Sequence, residues 1–128
     1  MAAVTHNYDP RTVSENQVRE SVEFLLDSLI LQGKPIYYDR INAGKGAKIG
    51  KRHIKLAKPG TADYLACIAV DGIGRFVAIE TKRMVGGVQK DTQKDYQAEI
   101  EKCGGVYILC PTPTPLKSWL IENGLMEE

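Results

Sequence analysis

"GTADYLACIAVDGIGRFVAIETK", Gly60 to Lys82, decides the fold. Apolar residues on either side of Asp71-Gly72-Ile73-Gly74 predict two antiparallel strands joined by a turn at those four residues. The stretch also carries Asp63 at one end and Glu80 and Lys82 at the other, charges that an apolar hairpin does not need. With Val70 opposite Arg75, counting outward sets Asp63 opposite Lys82 and Leu65 opposite Glu80. Side chains two apart share a face, so all three groups meet at one end of the sheet. Opposed β-carbons lie within about 5.5 Å and diagonal ones within about 8 Å, so two carboxylates can share a cation that an amine also reaches. A one-residue slip in register would separate them.

Hard oxygen donors in small number, with positions left open for a phosphate, suit magnesium better than zinc or calcium. Such a metal polarises a phosphoryl oxygen and supplies a hydroxide-like nucleophile. The Lys82 amine can orient that water and offset charge developing on phosphorus. The pattern therefore expects phosphodiester hydrolysis. An ordinary cross-strand ion pair between Asp63 and Lys82 at a strand end is the competing explanation.

Two helices bear on that choice. Val13 to about Leu31 is predicted helical, with Val18, Val22, Leu25, Leu26 and Leu29 on one face. Gly33 and Pro35 end it. Followed backwards, the apolar stripe reaches Glu15, while Glu20, Glu23 and Asp27 fall on the opposite side. Glu15 is thus expected to point towards the sheet, unless it only closes a capping box with Thr12. A second helix, Thr92 to Cys103 before Gly104-Gly105, has Gln93 leading a stripe of Tyr96, Ile100 and Cys103. Gln93 is either a site residue or an unremarkable first-turn amide.

Further out, "PIYYDRI", Pro35 to Ile41, and "VYILC", Val106 to Cys110, read as strands, and Leu116 to Asn123 as a last helix. The expected architecture is α/β, a central mixed sheet flanked by helices. A chain of 128 residues fits one domain, 1–128, with 1–11 expected to be a flexible N-terminal segment. Its 43% hydrophobic and 26% charged residues are those of a globular protein, and no run reaches membrane-spanning length. The N-terminus lacks the pattern of a signal peptide, so a cytoplasmic protein is expected. Three cysteines without paired spacing argue against a disulfide framework, and Cys67 and Cys110, inside apolar runs, are expected in the core.

Net charge is +1, but its distribution is uneven. Asn42 to Ala62 holds Lys45, Lys48, Lys51, Arg52, Lys55 and Lys58 with no acidic residue. This is either a solvated loop or a phosphate-contacting surface. So long a connection usually hides an element, and His53 to Leu56 is the candidate.

The series Gly60-Thr61-Ala62-Asp63, a hairpin, Glu80-Thr81-Lys82, then Gln93 and Gly104-Gly105, resembles the VRR-NUC (virus-type replication-repair nuclease) branch of the PD-(D/E)xK superfamily. The resemblance runs from Ser14-Glu15 to the last helix. It implies a restriction-endonuclease-like fold and a Mg²⁺-dependent DNA endonuclease, Mn²⁺ substituting. Asp63, Glu80, Lys82 and Gln93 would then be catalytic, and Glu15, Asp63, Glu80 and the Thr81 carbonyl metal ligands. Arg40-Ile41-Asn42-Ala43-Gly44 resembles the family's Arg-x-Asn-x-Gly stretch, so Arg40 and Asn42 join Lys45, Lys48, Lys51, Arg52 and Lys55 as expected nucleic-acid contacts. Ala62 stands where the family usually has Pro, a change that only loosens the backbone. Small members of the family resemble Holliday-junction resolvases, implying branched DNA, a bacterial or phage source, a role in replication, recombination or repair, and a symmetric homodimer. Ile36, Tyr37, Tyr38, Trp119 and Leu120 are the candidate interface residues. A DNA-binding accessory protein with a silent site, or an RNA nuclease, remain as alternatives.

Overall fold

The computed structural model describes residues 9–41, 46–49, 52–55 and 57–128, the two short internal segments as backbone alone. Helix α1 spans Glu15–Leu31. Its N-terminus is closed by Ser14, whose Oγ accepts the Gln17 N–H at 3.1 Å while Gln17 Oε1 accepts the Ser14 N–H at 2.8 Å. The capping box is therefore Ser14–Gln17, and the alternative reading of Glu15 as the partner of Thr12 in such a box does not hold. Thr12 instead ends a 3₁₀ turn, Pro10–Thr12, and its hydroxyl donates to the Asp9 carbonyl at 2.8 Å. That turn occupies part of the segment expected to be flexible, and residues 1–8 lie outside the described ones. Because Gln17 does the capping, the Glu15 carboxylate is left for other work.

Strand β1 is Ile36–Arg40, and the connection after it carries β2 (Gly46–Ile49) and β3 (Arg52–Lys55), an antiparallel pair of its own. The element expected at His53 to Leu56 is thus β3, one residue earlier at its start, with Leu56 outside the described residues. Strands β4 (Tyr64–Val70) and β5 (Ile73–Thr81) form the hairpin, followed by α2 (Asp91–Lys102), β6 (Val106–Cys110) and α3 (Thr114–Glu122). The main sheet runs β1-β4-β5-β6. Its first three strands are antiparallel, and β6 lies parallel to β5 after the α2 crossover. The chain is α/β, a four-stranded mixed sheet flanked by helices.

The hairpin departs from its expected register. Val70 pairs with Ile73, leaving only Asp71 and Gly72 in the turn, with φ of 52° and 78°. Positive φ at both central residues marks the tight Asp-Gly turn whose twist matches that of the strands. Tyr64 then pairs with Ile79, so Asp63 stands across from Glu80, not from Lys82. The shift is two residues. An even shift leaves every side chain on its own face, so Asp63, Glu80 and Lys82 still converge.

Alternation sorts the sheet into unlike faces. Tyr64, Ala66, Ile68, Val77, Ile79, Ile108 and Cys110 pack with Val18, Val22, Leu26 and Leu29 of α1 and Leu116 and Leu120 of α3 as the core. Cys67 belongs to the other set and is exposed, contrary to expectation, because α2 packs by β6 and leaves the middle of β4 uncovered. Glu23, expected to face outward, is half-buried, whereas Asp27 is exposed as expected. Glu23 accepts the Tyr64 hydroxyl at 2.7 Å and Asp27 the Tyr38 hydroxyl at 2.6 Å, which satisfies polar tips of residues lying against the core. Of the five candidate interface residues, Ile36 and Leu120 are buried in the core, Tyr38 and Trp119 pack against it, and Tyr37 is exposed. Among the described residues no helix is long and apolar enough to cross a membrane.

Candidate metal centre

Three carboxylates from three parts of the chain meet at one end of the sheet. Glu15 opens α1, Asp63 immediately precedes β4, and Glu80 is the next-to-last residue of β5. One ligand atom from each lies within 4.8 Å of the others. The arrangement is tied down from several sides. Asp63 Oδ2 accepts both the Thr81 N–H, at 2.8 Å, and the Thr81 hydroxyl, at 2.6 Å. The Asp63 carbonyl accepts the Ile41 N–H at 2.7 Å, joining the end of β1 to the same corner. Glu15 Oε1 lies 3.2 Å from an Arg19 guanidinium nitrogen one helical turn on.

Glu80 is the innermost of the three, 2% exposed, with Lys82 beside it at 8%. The Lys82 ammonium lies 3.5 Å from Glu80 Oε1, and the Gln93 amide donates to the same oxygen at 2.9 Å. Among the described residues Glu80 Oε2 is buried with no hydrogen-bond partner. Burial, reinforced by the negative charge of Asp63, raises the Glu80 carboxyl to about 7 against the opposing pull of Lys82. An unpartnered carboxylate oxygen in so dry a place is costly without a further cation. Three hard oxygen donors around that point fit a divalent cation of the magnesium or manganese type.

Gln93 gains its position from its own helix. Its Oε1 accepts the Lys90 N–H at 2.8 Å, closing the N-terminus of α2, which leaves Nε2 directed at Glu80. One amide thus both caps α2 and holds Glu80. Helix α2 is itself held against the Asp63 loop. Gly60 has φ of 88°, and a Cβ there would run into the Thr92 carbonyl. Only glycine allows that approach.

The carboxylates, Lys82 and Gln93 line a cleft of about 370 Å³, with Arg19 and Lys90 at its walls. A second cleft, of about 420 Å³, shares Glu15, Lys82 and Lys90 and extends over Arg83 and Gly87. Arg19 and Lys90 were missed in the sequence. Their signals were spacing alone, four residues after Glu15 and three before Gln93, and such spacing is common on any helix.

The expected site residues divide. Glu15, Asp63, Glu80, Lys82 and Gln93 come together. Thr81, whose carbonyl the resemblance offers as a ligand, is fully buried and holds Asp63 through its N–H and hydroxyl. Arg40 ends β1, paired in register with Tyr64, and its guanidinium lies 3.9 Å from Glu23. Asn42, Lys45 and Lys51 lie outside the described residues, as do the side chains of Lys48, Arg52 and Lys55 on β2 and β3.

No protein-family model, no curated protein and no solved structure matches the chain.

Proposed function

We propose that the chain is a metal-dependent endonuclease that hydrolyses phosphodiester bonds of DNA, a VRR-NUC-like protein with a restriction-endonuclease-like fold. The observation that carries this reading is the meeting of Glu15, Asp63 and Glu80 within 4.8 Å, with Lys82 against Glu80 in a cleft. A surface ion pair does not explain it. Surface pairs remain solvated, whereas Glu80 and Lys82 are buried together and one carboxylate oxygen has no partner among the described residues. The mixed sheet flanked by helices agrees with the coarse class that the resemblance implies, and Asp63, Glu80, Lys82 and Gln93 line one cleft.

Glu15, Asp63 and Glu80 would hold Mg²⁺ or Mn²⁺. Bound there, the ion supplies a polarised phosphoryl oxygen and a more acidic water. The chain's own residues do the rest. Lys82, anchored on Glu80, places an ammonium where it can hold the attacking water and offset negative charge building on phosphorus. Gln93 fixes the Glu80 carboxylate, and Thr81 fixes that of Asp63, so neither must reorganise as charge develops. Lys90 and Arg19 add positive charge at the cleft walls for the polyanionic substrate.

Cleavage of labelled junctions, flaps, duplexes and single strands, with and without Mg²⁺, tests the reading. Mg²⁺-dependent scission of DNA that is lost in Asp63→Asn supports it. No cleavage of any DNA, with RNA cut instead, would turn it to the RNA-nuclease alternative. The resolvase-like form also requires a two-fold dimer, which sedimentation at tens of micromolar checks.

A further inference from the structure

A third cleft, of about 420 Å³, adjoins the metal centre and has no part in holding the metal. Pro59 and Thr92 line both it and the carboxylate cleft, so the two are neighbours. Its character is different. Helix α2 presents two adjacent stripes there, Tyr96 with Ile100 and Asp95 with Glu99, each pair one turn apart. Pro59 and Lys58, from the segment before Gly60, also line it.

The acidic and aromatic groups of α2 select against a phosphate track and for a base. Asp95 and Glu99 would repel a phosphodiester, but as acceptor-only groups they suit the exocyclic amines of cytosine, adenine and guanine. Tyr96 is half-buried, and a T-shaped contact with Tyr107, centroids 6.2 Å apart, holds its ring. Tyr107 is in turn bonded by Gln89 at 3.2 Å, and Gln89 by its amide to Gln97 at 2.9 Å. A ring so held is a prepared platform for stacking, which loses little freedom on binding. Lys58 supplies the cation for the phosphate that accompanies the base.

We propose that this cleft receives one unpaired nucleotide next to the scissile phosphate, its base against Tyr96 and its exocyclic amine on Asp95 or Glu99. The proposal deepens the nuclease reading, since it names the feature of the substrate that the site reads. A fully paired duplex cannot offer a base there without extruding it, so the preferred substrate has an unpaired, amine-bearing base beside the cut.

The test uses the metal-free full chain, isotope-labelled, titrated with dCMP, dAMP, dTMP and deoxyribose 5-phosphate and followed by backbone amide shifts. The expected result is saturable movement of the Thr92, Asp95, Tyr96 and Ile100 signals with dCMP and dAMP. Deoxyribose 5-phosphate, which has no base to stack, should bind roughly five- to a hundredfold more weakly. Tyr96→Phe should keep the binding, whereas Asp95→Asn with Glu99→Gln should abolish the preference for dCMP over dTMP. Equal shifts from dCMP and deoxyribose 5-phosphate would overturn the base pocket, and equal affinity for dCMP and dTMP would overturn the amine recognition. The wild-type comparison alone suffices for both, should a variant fail to fold. A chain that cuts nothing yet binds dCMP in this way would defeat the nuclease reading and leave the pocket standing. One that cuts DNA but shows no such shifts would do the reverse.

Discussion

Gln93 reaches two partners with one amide: Oε1 accepts the Lys90 N–H at 2.8 Å and Nε2 donates to Glu80 Oε1 at 2.9 Å. The start of α2 and the innermost carboxylate are thereby one unit. Gln93→Ala should cost about 1 kcal/mol of stability from the lost cap and about tenfold or more in Mn²⁺ affinity from the unfixed ligand. Denaturant unfolding and calorimetry read the two effects separately. A variant that loses stability but binds Mn²⁺ as wild type does would reduce Gln93 to a cap.

The Glu80 carboxyl, raised by burial to about 7 from 4.5, makes both metal binding and metal-free stability depend on pH. The folded protein holds this proton where the unfolded chain has released it. Stability from it is therefore complete below about pH 4.5 and lost as pH rises through about 7, on the order of 3 kcal/mol in all. Metal binding runs the other way, since the proton must leave first. Mn²⁺ affinity should rise about tenfold per pH unit up to about 7 and then flatten. Unfolding of wild type and Glu80→Gln across this range checks the first part, because the variant should lack that component. Calorimetric titration of wild type checks the second.

Lys82 and Glu80 touch, at 3.5 Å, yet their losses should look unlike. Glu80→Gln is expected to lower metal affinity and cleavage together. Lys82→Ala should keep the metal and the DNA and lose about a hundred- to a thousandfold in single-turnover rate. Near wild-type cleavage by Lys82→Ala at saturating Mg²⁺ would return the pair to a structural role.

Gly60 sets how closely the Asp63 loop meets α2. Gly60→Ala combines a left-handed backbone with a methyl group placed on the Thr92 carbonyl. A loss of more than about 1 kcal/mol is expected, with weakened Mn²⁺ binding because the loop carries Asp63. Melting temperature and calorimetry record both, and an unaffected melting temperature would mean that the loop shifts without cost.

For the basic segment, neutralising Lys48, Lys51 and Arg52 to Gln should weaken DNA binding and leave Mn²⁺ affinity alone. If each touches one phosphate, the slope of log affinity against log salt becomes shallower by about 0.9 per residue. An unchanged slope would remove all three from the interface.

What the sequence by itself determined is whatever depends on parity and on local chemistry. Asp63, Glu80 and Lys82 share a face for any even register, so their meeting is legible whether the turn holds the four residues expected or the two observed. The helix stops and β6 were legible too, because glycines and a short apolar run act within a few residues. Tertiary structure decided the rest. Glu15 is 48 residues from Asp63 and joins the carboxylates only because α1 packs across the sheet, and because Ser14 and Gln17 form the cap that Glu15 was free to form instead. Glu23 lies by the strands and Cys67 lies outside because a hydroxyl partner and the reach of α2 settle such matters. Helical periodicity contains neither. The cleft beside Tyr96 has the same origin: its walls come from Pro59 and α2, brought together by a glycine with no side chain to keep them apart.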